Sequence, residues 1–280
     1  TATFCLRNMD KTRDNRARFV LRGVNMFKRL SFVGVWLCVA VLGAAGGQWT
    51  YDSAGGLLTH DTSGWVLNAS ITGTNLTVTE VNTAPATASA LPLADPLPGF
   101  AITDIGYQAF AWSYNFTGVT IPNSVTNIGV NAFWNCSLTN VTIPDAVNHI
   151  GLSAFGACFS LTSIDVANEN SQYASFDGIL YTRSLTELIQ CPGGKTGTVT
   201  IPDSVTSIGD YAFYGCSNLT GVTIPDSVTS IGDDVFGYCN SLTGVMIGNG
   251  VTRIGYRAFE GCGSLTQLVL PASLSEIGYG

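Results

Sequence analysis

Five cysteines, Cys136, Cys158, Cys216, Cys239 and Cys262, each lie eight residues after the isoleucine of an Ile-Gly pair. Thiols at fixed intervals can pair as disulfides, ligate a soft metal or serve as nucleophiles. A metal site needs close-spaced ligands of the C-x-x-C kind, and none of the eight cysteines supplies one. Residues at one slot of a repeat form a column that points one way. Cysteine is among the most buried residue types and packs as a small hydrophobe, so the column is read as core. Ser113 takes the same slot in the first unit, as packing permits and strict pairing does not. Disulfides between neighbouring rungs are the alternative reading.

The remaining reactive types are sparse. His60 lies beside Asp61 and His149 just before Ile150, and neither accompanies a nucleophile motif such as G-x-S-x-G, so both are read as surface polar residues. Asn123, Asp145, Asp203, Asp226 and Asn249 recur after the repeat's proline slot. A calcium column would need the glycine- and aspartate-rich nonapeptide, which is missing, so these are read as turn formers. GGKTG (193–197) lacks the full phosphate-loop spacing. No carboxylate pair is singled out for glycoside hydrolysis. The expectation is a non-enzyme without catalytic residues, cofactor or metal.

What must position all these residues is a repeat. Ile-Gly occurs at 105, 128, 150, 208, 231, 254 and 277, and IPDSVTSIG stands identically at 201–209 and 224–232. A fixed period of about 23 residues is the signature of a solenoid. In LTGVTIP (219–225), Val222 and Ile224 alternate with Gly221 and Thr223, which predicts a strand with one buried face. Pro225 ends it because it lacks the amide a ladder needs. In DYAFYGC (210–216), Asp210 sits where a helix cap would, with Ala212, Phe213 and Cys216 spaced for one face of a brief helix. Each coil is therefore expected to run strand, turn, short helix, return. No single coil can enclose its own apolar residues, so coils must stack.

The frame L-x-x-V-x-I-P followed by S-V-T-x-I-G-x-x-A-F-x-x-C, carried by several coils over about 101–280, resembles the BspA-like class of leucine-rich repeats. The resemblance implies an α/β solenoid with a parallel β-sheet on its concave side and short helices on its convex side. It also implies a secreted or surface-exposed bacterial protein that binds extracellular partners.

One stretch, 164–202, departs from the frame. LTELIQCP (185–192) reads as a degenerate rung that keeps its strand and loses its helix, with Ile179-Leu180-Tyr181 pairing nearby. A tolerated loop variation and a partner-binding protrusion are both open. Tyr173, Phe176 and Tyr181 are assigned to the core. Residues 47–100 lie outside the repeat. WTYDSAGGLLTHDTSGWVLNASITGTNLTVTEV alternates apolar and polar residues with Gly and Asn punctuation, which predicts hairpins and a small β-rich N-terminal cap with its linker.

The ends carry their own signals. Residues 1–46 hold eight basic and two acidic residues, leaving 47–280 at about −13 although the whole chain is −7. An acidic body argues against nucleic acid or an anionic membrane as partner. Arg22, Lys28 and Arg29 precede LSFVGVWLCVAVLGAA, the order of a signal peptide, assigned to 26–46 with Met26 as the expected start and 1–25 as a leader or mis-extended frame. The run is short of the roughly 20 residues of a spanning helix, and a retained anchor is the rival reading. The last coil opens at Ile277-Gly278, so the natural protein is expected to continue past 280; an open last rung would favour self-association.

What remains for function is a surface. By strand alternation, Thr120, Asn140, Thr142, Asp165, Thr198, Thr200, Thr223, Met246, Gln267 and Val269 point outward on the concave face. The face is flat, small-featured and nearly uncharged, a shallow docking surface for an extended protein or glycan. Threonines that line up because they favour strands are the bland alternative. Adhesion or protein/glycan binding at the cell surface is the leading expectation. Its rivals are a passive or self-associating spacer, and the repeat part of a larger enzyme.

Overall fold

The computed structural model describes residues 48–280 apart from 53, 62, 86–89 and 95–96. The leader and the signal peptide expected over 1–46 lie outside the described residues. Four strands, Trp49–Asp52, Leu57–His60, Val66–Thr72 and Asn75–Thr83, form an antiparallel meander. Asn75–Thr83 then pairs in parallel with Ala101–Ile105, and that ladder continues to Asn127–Ile128 and His149–Ile150. The change from antiparallel to parallel pairing marks where the repeat takes over. Trp49, Trp65, Leu67 and Leu76 fill the meander's buried face.

Each regular coil contributes two short strands, one to each of two sets of parallel ladders, one more than the sequence pattern predicts. The L-x-x-V-x-I segments make one: Asn140–Ile143 pairs with Ser163–Val166, while Gly197–Thr200, Leu219–Ile224, Gly244–Ile247 and Gln267–Val269 form a four-stranded ladder. The Ile-Gly segments make the other, with Ser207–Ile208, Ser230–Ile231, Arg253–Ile254 and Glu276–Ile277 side by side. Register follows the repeat: Val222 faces Val245, which faces Leu268. Backbones approach closely after each isoleucine. A Cβ on Gly255 would lie 2.4 Å from the Gly232 carbonyl carbon, which explains why glycine returns there.

The expected short helices are not formed; no helix occurs among the described residues. The reason lies in the backbone. The third and seventh residues after each Ile-Gly isoleucine have positive φ: Gln108 and Trp112, Asn131 and Asn135, Ser153 and Ala157, Tyr211 and Gly215, Asp234 and Tyr238, Arg257 and Gly261. A left-handed residue every fourth position breaks a right-handed helix, and costs roughly 1–2 kcal/mol where it is not glycine. Bonds between coils offset that cost. The amides of Tyr211, Phe213 and Gly215 donate to the carbonyls of Asp233, Val235 and Gly237 at 2.8–2.9 Å, while those between them close β-turns within the coil. Asp210 is correspondingly no helix cap: its Oδ1 accepts the Asp233 amide of the next coil at 2.7 Å.

The interior is a set of columns. Phe110, Phe133 and Phe155 stack at centroid distances of 5.2 and 5.4 Å, and Phe213, Phe236 and Phe259 at 5.1 and 5.3 Å. These spacings match the rise between neighbouring strands, about 4.8 Å, so coil stacking sets the ring geometry. Threonine ladders clamp the edges. The Thr229 amide and hydroxyl both donate to the Thr206 carbonyl, and Thr252 repeats this on Thr229.

The irregular stretch divides the core. Tyr173–Phe176, Ile179–Thr182 and Glu187–Gln190 pair antiparallel, and Glu187–Gln190 rejoins the Ile-Gly sheet in parallel with Ser207–Ile208. The rung around Leu188 thus keeps a strand, but in the second sheet. Ile179–Thr182 is buried on both faces: Leu180 belongs to the apolar cluster on one side, Ile179 and Tyr181 to that on the other. Lys195 pins the hairpin tip through the Asp177 carboxylate at 2.9 Å. Tyr181 is core and Tyr173 half-buried, but Phe176 is exposed because it ends its strand at the hairpin tip.

Candidate functional site

The reactive groups come first. Cys136, Cys158, Cys191, Cys216, Cys239 and Cys262 are free thiols in one internal column. Cys136 Sγ donates to the Phe110 carbonyl at 2.9 Å, Cys239 to Phe213 at 3.1 Å and Cys262 to Phe236 at 3.0 Å. Burial raises the Cys239 thiol well above its ordinary range and lifts Cys262 to about 11. A nucleophilic or metal-binding cysteine needs the opposite shift. His60 is a correction to its reading as surface polar: it is buried, 4.9 Å edge-to-face from Trp49, with Nδ1 2.6 Å from the Ser63 hydroxyl. Strand alternation turns it inward at the end of Leu57–His60. His149 is exposed. Asp145 and Asp226 each accept an amide of the following coil, from Glu169 at 3.0 Å and Asn249 at 2.7 Å. Among the described residues no three metal-ligating side chains converge.

The sheet residues singled out from sequence lie as follows. Thr120, Asn140, Thr142, Asp165, Thr198, Thr200, Met246, Gln267 and Val269 are exposed, and Thr223 is half-buried. Thr200, Thr223, Met246 and Val269 form one row across four strands, and Thr198, Gly221, Gly244 and Gln267 the next. Asp165 stands beside Thr142, and Asn140 beside Ser163, in a separate two-stranded sheet. The structure therefore brings nine of these residues together in two patches, one on each side of the irregular coil, and leaves Thr120 just past the strand Gly118–Val119, in neither patch. A shallow trough of about 530 Å³ runs along the edge of the larger patch, lined by Thr223, Pro225, Asp203 and Asp226. The patches hold no Trp, Tyr or Arg anchor of the kind that concentrates binding energy.

Such anchors sit on the turn side, where the sequence pattern drew no attention. The irregular rung lacks the broad turn of its neighbours, since Cys191 runs directly into Pro192-Gly193-Gly194, which packs on Cys158 and Leu161. The turn carrying Gly156 and Ala157 consequently meets the turn carrying Tyr214 and Gly215. Trp134 lies against Gly156, where a Cβ would come within 2.5 Å of Cζ3, and Tyr214 lies against Gly237 in the same way, within 2.8 Å. Trp134 and Tyr214 are 5.2 Å apart by ring centroid, and Tyr214 is 5.5 Å from both Tyr211 and Tyr238. Trp134, Tyr214 and Tyr238, together with Phe159, Asn135 and Asn240, line a groove of about 320 Å³. Phe159 and Tyr238 are each about half exposed, at 50% and 47%. Burial, and then the neighbouring Tyr238, Asp234 and Glu260, raises the Tyr214 phenol above its ordinary value; burial and Asp234 do the same for Tyr211. The available signal was an aromatic at the sixth or seventh position after Ile105, Ile128, Ile208 and Ile231, which the packing frame leaves free.

Comparison with known proteins agrees with this architecture. The profile of the BspA type Leucine rich repeat region matches in six copies over residues 103–192 and 193–280. A leucine rich cell surface protein from Faecalibacterium prausnitzii is 32% identical at a TM-score of 0.60, over 68% of this chain and 49% of its own. The chain thus spans about half the length of that protein. The pneumococcal vaccine antigen PcpA is 18% identical (TM-score 0.43, covering 80% and 78% of the two chains). A leucine-rich repeat protein from Eubacterium ventriosum is also 18% identical (TM-score 0.40, covering 84% and 94%). No curated protein matches the chain.

Proposed function

The chain belongs to the BspA-type leucine-rich repeat family, and from that premise we propose that it is an exported, non-enzymatic repeat protein that binds an extracellular protein or glycan at a bacterial cell surface. The observation that carries this reading is the likeness to the Faecalibacterium cell surface protein over 68% of this chain. Physical features support it. A solenoid exposes a large fraction of its surface in rows that suit extended partners. The Cys239 and Cys262 thiols are disfavoured as thiolates, and Asp145 and Asp226 after the proline slot are occupied in bonds between coils.

The test is saturable binding of the purified full chain to immobilised mucin, extracellular-matrix proteins and a glycan array. The expected result is saturable binding to at least one of these. A folded chain that binds none overturns the proposal. A spacer role is favoured by one specific observation, the anchor-free sheet patches, and it predicts that same negative result.

A further inference from the structure

The surface-binding reading leaves open where a ligand sits and what it is. We propose that the groove walled by Trp134, Tyr214 and Tyr238 is a binding site for a neutral oligosaccharide; this inference rests on the proposed binding function and assigns it to the turn side.

Four observations point to that chemistry. First, the rings form a continuous run with neighbouring centroids 5.2 and 5.5 Å apart. Glycines 156 and 237 let Trp134 and Tyr214 approach the coil closely, and the rings are inclined to one another by 43° and 66°, so they present faces in more than one direction. An aromatic face is electron-rich, and the axial C–H groups of a pyranose present a weakly positive, apolar face of matching size. Second, the rim is polar where sugar hydroxyls would emerge. Asn240 is exposed, and Asn135 sits at the other end with its Nδ2 donating to the Tyr114 hydroxyl at 2.8 Å. An amide both donates and accepts, as a hydroxyl does, so these groups fit one another. Third, no lysine or arginine lines the groove. Glu260 nearby is paired with Arg257 at 3.4 Å, so its charge is already answered. A lining without a cation offers sialylated, sulfated and uronic sugars no partner, which favours neutral ones. Fourth, the volume of about 320 Å³ lies at the small end of ligand clefts, roughly 300–1,000 Å³, so it takes one or two sugar units of a longer chain.

The groove exists because of the irregular coil. A regular turn in that rung would stand between the turn of Ala157 and that of Gly215 and separate Trp134 from Tyr214. The departure from the repeat therefore creates the one place where anchors from coils 80 residues apart in sequence come into contact.

The experiment titrates the full chain, by calorimetry, with cellohexaose, laminarihexaose, mannohexaose and chitohexaose, with sialyllactose and a heparin hexasaccharide as anionic counterparts and decaproline as a peptide probe. The expected result is saturable binding of at least one neutral hexasaccharide and none of the anionic probes. Trp134→Ala should weaken it at least tenfold. Tyr238→Asn, which keeps a residue tolerant of the left-handed backbone, should weaken it at least threefold with the thermal midpoint unchanged. Thr142→Lys and Thr200→Lys on the sheet patches should leave it unchanged. The proposal is overturned if no neutral hexasaccharide binds, if the heparin probe or decaproline binds more tightly, or if Tyr238→Asn binds as the parent does. Saturable binding to mucin or matrix protein that is lost in Thr200→Lys and kept in Tyr238→Asn would overturn this site while leaving the proposed function standing.

Discussion

On the sheet side, Thr200, Thr223, Met246 and Val269 occupy one row, each within a strand whose inward neighbours are fixed by packing. On the turn side, Trp134, Gly156, Tyr214, Gly237 and Glu260 occupy one slot and differ in size, charge and shape. Both belong to the same coils, and the difference teaches where a stacked protein has room for individuality. A strand position is flanked on both sides by its own equivalents, so small β-favouring residues recur and identity conveys little. The turns bond to their neighbours through a regular set of backbone amides, which leaves the side chains at their tips freer to vary. Specificity should therefore reside at the turns and stability beneath both faces.

The sharpest test of that contrast pairs two phenylalanines. Phe213→Ala removes a ring buried within the stack and is expected to cost about 3–5 kcal/mol in urea unfolding. Phe159→Ala, half exposed in the turn groove, should stay within about 0.5 kcal/mol of the parent. Equal effects would erase the distinction between frame and groove. Next is alkaline unfolding. The folded pKa values of the Cys239 and Cys262 thiols are raised, so the unfolded chain loses these protons first once pH exceeds about 9, and stability present below that falls as pH rises. For Cys262 the loss runs from about 9 to about 11, and Cys262→Ala should flatten the decline of the thermal midpoint in that window. Smaller still, Thr229→Val deletes a hydroxyl that shares the Thr206 carbonyl with an amide, and should cost about 0.5–1.5 kcal/mol by the same urea measurement. Smallest is Met246→Thr on the sheet row, 65% exposed, expected within about 0.5 kcal/mol. A larger loss there would mean that the row contributes to folding after all.

Much of the frame was legible because repetition multiplies weak signals. Val222 and Ile224 show their burial by alternation, and the recurrence of Cys216, Cys239 and Cys262 at one slot shows a column. The helix expectation failed for a physical reason. Ala212, Phe213 and Cys216 have the spacing of one helical face, yet consecutive β-turns with Tyr211 and Gly215 in left-handed conformation bury the same three residues. Nothing in the types Gln108, Tyr211 or Arg257 announces positive φ, because the compensating bonds come from the next coil. Two-residue strands such as Ser230–Ile231 are likewise below what local patterning reveals. The groove was least legible of all. Trp134 and Tyr214 meet only after the intervening rung shortens, a non-local event that no window of sequence contains.

The strand Ile179–Thr182, inserted through the middle of the molecule, acts as a bulkhead. Apolar contacts pass along the coils on either side of it, but at this strand they must pass through a single layer with Leu180 facing one compartment and Ile179 and Tyr181 the other. Unfolding that begins in the Phe213–Phe259 coils should halt there, with the Phe110–Phe155 compartment still protected from hydrogen exchange. A molecule loosened on that side would lose those rungs first and keep the compartment nearest the meander.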